Sequence, residues 1–96
     1  MNYRIVVRPS AEVDIDIAYE WYEEQQPGAG DFFLDELRKY YKILEDNPST
    51  FSWSNKSFRR AIMHRFPFII YYRAIGAEVH INAVFHTSRK PVKRFR

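Results

Sequence analysis

FIIYYRAIGAEVHINAVFH, residues 68–86, decides the fold. Ile, Val, Tyr and Phe crowd both sides of the link Ile75-Gly76-Ala77. β-branched and aromatic runs flanking a glycine-centred link predict two antiparallel strands, 68–74 and 78–86, joined by a tight turn. Just upstream, FRRAIMHRF (58–66) has the same character, and Arg65-Phe66-Pro67 marks a bend between it and the next strand. Three strands therefore close the chain.

Further upstream the spacing of apolar residues changes to that of helices. In 31–46, Phe33, Leu37, Tyr40/Tyr41 and Leu44 form one stripe, and Asn47-Pro48 stops it. In SAEVDIDIAYEWYEEQQ (10–26), Ala11, Ile15, Ala18 and Tyr22 recur every three to four residues, with Ile17 and Trp21 beside them. Ser10 suits the N-cap, and Glu12 and Asp14 suit the positive end of the helix dipole. PGAG (27–30) ends this helix, and so short a link predicts an antiparallel helical hairpin. YRIVVRP (3–9) reads as a first strand stopped by Pro9. The order β-α-α-β-β-β predicts an α+β fold, a helical hairpin packed on one face of a small, mainly antiparallel sheet.

The 96 residues make one domain, 1–96, with a basic C-terminal tail at 92–96. A hydrophobic fraction of 46% marks a globular chain, and the absence of cysteine excludes a disulfide framework and a thiol nucleophile. No apolar run approaches the ~20 residues of a membrane helix, and the N-terminus does not read as a signal peptide, so a cytoplasmic location is expected. Charge is segregated. Residues 1–55 carry five Lys/Arg against eleven Asp/Glu, and residues 56–96 carry ten against one. A half that basic suits phosphates or an acidic partner.

Several chemistries can be weighed against that background. The Gly-x-Gly of PGAGDFF follows a helix and has no third glycine, so it reads as a helix–helix turn and not as a phosphate loop. His80 and His86 have the same parity on one strand, which predicts a shared face but a separation of roughly 20 Å, too far to hold one ion. No metal and no cofactor are expected. The acids of the first helix read as a solvated face. What remains is a basic constellation on or just beyond the late strands: Arg59, Arg60, Arg65, Arg73, His86, Arg89 and Lys90. Histidine can act as acid or base, and arginine grips phosphate oxygens. The set suits metal-free RNA cleavage or docking on an acidic surface.

Taken together, DIDIAYEWYEEQQPGAGDFFLDEL, the NP that follows, FRRAIMHRFPFIIYYR and AVFHTSRKP resemble the RelE/ParE toxin superfamily of bacterial type II toxin–antitoxin systems, over Tyr3 to Pro91. The resemblance implies a plasmid-stabilisation-type toxin neutralised by a cognate antitoxin. Two targets follow from it: DNA gyrase for ParE-like members, and mRNA on the ribosome for RelE-like members. WYEEQQPG is closer to the ParE branch. The positions matching two functional arginines of the nucleases are Ile69 and about Thr87 here. Gyrase inhibition is therefore the primary expectation. A metal-independent mRNA endonuclease is the alternative, with His86, Arg89 and Arg60 catalytic and Arg59 supporting them. An inactive remnant is the second alternative. Arg59, Arg65, Arg73 and Lys90 are the expected target- or phosphate-binding residues, and Trp21, Tyr22, Phe33 and Leu37 the antitoxin-binding ones.

Overall fold

The computed structural model describes residues 2–88. Its elements are β1 (Arg4–Val7), α1 (Pro9–Gln25), α2 (Ala29–Asp46), a 3-10 turn (Pro48–Thr50), β2 (Arg59–Ile62), β3 (Phe68–Ile75) and β4 (Glu78–His86). The sheet order is β1-β4-β3-β2, with β1 parallel to β4 and the other pairs antiparallel. The α+β order read from the sequence is the order observed.

Pro9 does two jobs. It ends β1 and sits at the start of α1, where its fixed φ suits a helix and its missing N–H costs nothing. The cap is consequently Arg8, which makes no side-chain cap bond, and not Ser10 as expected. The Ser10 hydroxyl instead donates to the Asn82 carbonyl at 2.7 Å. Four residues on, a carboxylate oxygen of Asp14 accepts the Val84 N–H at 3.0 Å. β1 stops at Val7, opposite Ile81, so α1 takes up backbone groups of β4 that β1 no longer reaches.

The helix–helix link is as predicted, and the reason for its glycines is visible. Gly28 adopts φ +90°, and Gly30 is packed so closely that a Cβ there would sit 2.6 Å from Cδ1 of Tyr19. The Glu23 carboxylate accepts N–H bonds from Gly28 (3.1 Å) and Gly30 (2.8 Å). The anion site at the start of α2 is thus filled by the protein's own carboxylate.

The core lies between the hairpin and one sheet face: Phe33, Leu37, Tyr40 and Leu44 from α2, Ala11 and Ala18 from α1, and Ala61, Met63, Phe68, Ile70, Tyr72, Val79, Ile81 and Val84 from below. Each large apolar side chain so buried contributes about 1.5–3 kcal/mol. The Tyr72 hydroxyl donates to the Pro48 carbonyl at 2.6 Å, and the Tyr40 hydroxyl accepts the His64 N–H at 2.9 Å, so both phenols enter the core with a partner. β2 is shorter than the predicted 58–66. The Met63 N–H still pairs with the Phe68 carbonyl, after which the chain turns through Pro67, which has no N–H to continue a ladder.

One irregularity governs the rest. Tyr71 pairs with Ala83, but Tyr72 pairs with Ile81, leaving Asn82 as an extra residue in β4. This β-bulge reverses which side chains of β4 face the core.

Candidate target-binding face

The sheet face turned away from the helices carries a definite pattern, read from the register. One row across it is Ile62, Ile69 and Phe85; the next is Arg60, Tyr71 and Ala83. Beyond the bulge come Arg73, His80 and Val6, then Ile75, Glu78 and Arg4. The face is therefore apolar at one end, cationic and aromatic in the middle, and ion-paired at the other end. Ile62 is 50% and Phe85 37% exposed among the described residues.

The charges on this face are not equivalent. Arg4 is bonded to Glu78, which also pairs with Nε2 of His80 at 2.9 Å. These bonds, Arg4's first and His80's second, hold the Glu78 carboxyl below its ordinary range. Arg73 lies 5.6 Å from the centre of the Phe58 ring, and Arg60 is exposed. Arg60 and Arg73 are thus the cations this face offers without a carboxylate partner among the described residues. The sequence hides the Arg4–Glu78–His80 cluster, because Arg4 stands 74 positions from Glu78 and meets it through the parallel β1–β4 pair.

The bulge separates the residues grouped for the nuclease alternative. His86 pairs with Phe68, whose side chain is in the core, and its ring stands edge-on to Phe68 at 5.0 Å between centroids. Its Nδ1 accepts the Ser88 N–H at 3.1 Å. His86 is therefore on the helix side of the sheet, and Arg60 is on the opposite side. The expectation that His80 and His86 share a face is corrected: His80 pairs with Arg73 on the outer face, because Asn82 intervenes. Arg89 and Lys90 lie outside the described residues.

Arg59 and Arg65 also part company. Arg59 is half-buried, donates to the Phe51 carbonyl at 2.7 Å and lies 4.1 Å over the Trp53 ring, so part of its donor capacity is used internally. Arg65 is exposed in the β2–β3 turn.

On the hairpin, Phe33 (0% exposed) and Leu37 (3%) are core residues, and so present almost no surface to a partner in this conformation. Tyr22 is half-buried, stacked on Phe33 and edge-on to Phe66, and Trp21 stands edge-on to Tyr22 at 5.0 Å. The exposed apolar residues of α1 are Val13, Ile17 and Trp21, spaced four apart and so stacked on one side of the helix. That spacing was present in the sequence, but the stripe through Ala11, Ile15, Ala18 and Tyr22 drew the reading inward.

Among the described residues no cluster of His, Asp or Glu could hold a metal ion, and no helix is long and apolar enough to cross a membrane. The arrangement offers anion recognition and apolar contact.

Comparison with known proteins adds to this geometry. A family model described as "ParE toxin of type II toxin-antitoxin system, parDE" matches residues 5–91. A solved structure described as "Chromosomal ParDE TA system from P. aeruginosa" superposes with a TM-score of 0.78, covering 90% of this chain and 97% of that one at 19% identity. At that identity the likeness is one of fold. No curated protein matches by sequence.

Proposed function

We propose a function from one established premise: the chain belongs to the ParE toxin family of type II toxin–antitoxin systems. The toxin acts by inhibiting DNA gyrase. The observation that carries this choice of target is the bulge at Asn82, which leaves His86 and Arg60 on opposite faces of the sheet, while Ile69, where a nuclease carries an arginine, sits in an apolar row. General acid–base cleavage needs its acid, base and phosphate-gripping groups around one reacting phosphate. Docking on a protein does not. The outer face, apolar at the Ile62–Phe85 end and cationic beside it at Arg60 and Arg73, has the mixed composition of a protein-binding surface.

A cognate antitoxin neutralises the toxin. Its apolar segment packs on the hairpin over Val13, Ile17 and Trp21, and its acidic residues meet the cationic sheet face. Salt weakens such a complex only in part, because apolar contact is not screened.

The deciding experiment mixes the purified chain with gyrase and supercoiled plasmid, and in parallel follows thymidine and amino-acid incorporation in cells after induction. Gyrase-dependent accumulation of cleaved plasmid, with DNA synthesis falling first, is the expected result. Intact plasmid together with an early stop in protein synthesis would overturn the reading in favour of mRNA cleavage.

A further inference from the structure

Between Asn47 and Ala77 the chain has no Asp or Glu, while it carries Lys56, Arg59, Arg60, Arg65 and Arg73. This acid-free stretch builds the β2 end of the molecule. Its first part folds back along the free edge of β2 and is tied there. The Arg60 N–H bonds the Ser52 carbonyl at 3.0 Å, the Ser54 N–H bonds the Phe58 carbonyl at 2.8 Å, and Asn55 Oδ1 accepts the Ser57 and Phe58 N–H groups at 2.8 and 2.9 Å.

That much fixed backbone holds up an exposed indole. Trp53 bridges to Arg59 across the edge, and the Arg59 guanidinium covers the ring at 4.1 Å while itself donating to Phe51. Trp53 is nevertheless 56% exposed. Apolar burial favours turning such a ring inward. Here the Arg59 guanidinium lies on the exposed ring, a contact that restrains it, so that less side-chain freedom is lost on binding.

We propose that Trp53 is a stacking platform for one base of a single-stranded nucleic acid, with Lys56 and Arg60 contacting the neighbouring phosphates. Stacking on an aromatic ring beside cations is how proteins take single strands without reading their sequence, because every base has a π-face and every linkage a negative charge. The register fits a strand crossing the sheet edge: Trp53 lies on the Arg59 side, and Arg60 points to the other side one residue on. A duplex keeps its base faces covered and cannot use the platform. This contact is additional to the inhibition of gyrase and does not depend on it, since its test uses neither gyrase nor antitoxin.

The test is fluorescence anisotropy of labelled oligothymidine and oligouridine, about ten nucleotides long, titrated with the purified full chain over a range of salt. The expected result is binding by at least one of the two, weakened about 5- to 100-fold by Trp53→Ala and largely retained by Trp53→Phe. Trp53→Ala leaves the salt slope unchanged, whereas Arg60→Gln lowers it by about 0.7. Preference for the thymidine or the uridine strand identifies DNA or RNA as the source. Circular dichroism of each variant separates loss of the platform from loss of the fold. Binding that is absent, or equally tight after Trp53→Ala in a folded chain, overturns the proposal. So does equal, Trp53-dependent binding of polyglutamate, which would make the site one for an acidic protein.

Discussion

Between Glu78 and Ile81, β4 sends its odd-numbered residues into the core; between Ala83 and His86 it sends the even-numbered ones. Val79 and Ile81 are buried in the first half, Val84 in the second. In the first half the outward side chains are Glu78 and His80, polar and bonded to each other, with Glu78 bonded to Arg4 as well. In the second half Phe85 faces outward and His86 stands against a core phenylalanine. One strand thus supplies both the ion-paired and the apolar end of the outer face, because one extra residue lets it change pattern midway.

The sharpest way to break this comparison is to delete Val84, beyond the bulge. With the hairpin pairing kept, Phe85 then falls opposite Ile70 in the core and His86 opposite Ile69 outside, and no cooperative unfolding transition should survive in thermal or denaturant melts. Deleting Asn82 instead removes the bulge, keeps Val84 inward and Phe85 outward by plain alternation, and should leave a cooperative transition. Next comes a matched pair of substitutions. Ile81→Ala should cost about 2–5 kcal/mol by denaturant unfolding, whereas Phe85→Ala, the same parity beyond the bulge, should cost about 1 kcal/mol or less. Equal costs would mean that both residues face the same way. Asp14→Ala, which orphans the Val84 N–H, should destabilise by about 1–3 kcal/mol.

Two titrations refine the picture at smaller scale. Glu78 has a lowered pKa in the folded chain, so the native state binds fewer protons there than the unfolded state does. Its contribution to stability is present above the unfolded carboxyl pKa and is lost as pH falls through the depressed native one. Arg4→Ala should move the Glu78 midpoint upward in an NMR titration, with little change in melting at neutral pH. The smallest effect belongs to Tyr41. Its buried hydroxyl has no partner among the described residues, and burial raises its pKa to about 12. The folded state therefore holds that proton longer than the unfolded state, and stability falls as pH rises from about 10 towards 12. Tyr41→Phe should leave stability at neutral pH unchanged or slightly higher and reduce that alkaline loss.

Most of the fold was legible because it rests on local signals. β-branched runs around Gly76 announce β3 and β4, and apolar spacing announces α2, whose stripe of Phe33, Leu37, Tyr40 and Leu44 is buried as read. The bulge was written there too, in the jump from Val79 and Ile81 to Val84, a gap of three where alternation allows two. It went unread because Asn82-Ala83 is not a turn signal, and a strict period of two then placed both histidines on one face. The candidate site was less legible because it depends on pairing. Arg59 and Arg60 are neighbours in sequence with opposite surroundings, one against the Trp53 ring and the other at the open face. Nothing local to FRRAI says which is which until the edge loop is seen to fold back.

The parallel pairing of β1 with β4 has a consequence for the birth of the molecule. The first strand emerges from the ribosome long before β4, its sheet neighbour among the described residues, since Arg4 and Glu78 are 74 residues apart. Until the first half of β4, Glu78–Ile81, has been synthesised, β1 lacks the strand it pairs with, and the helical hairpin has only a partial sheet to cover. Long-range closure of this kind comes late in folding. The outer face therefore assembles only after β4 has been synthesised, and a chain cut before β4 cannot complete it.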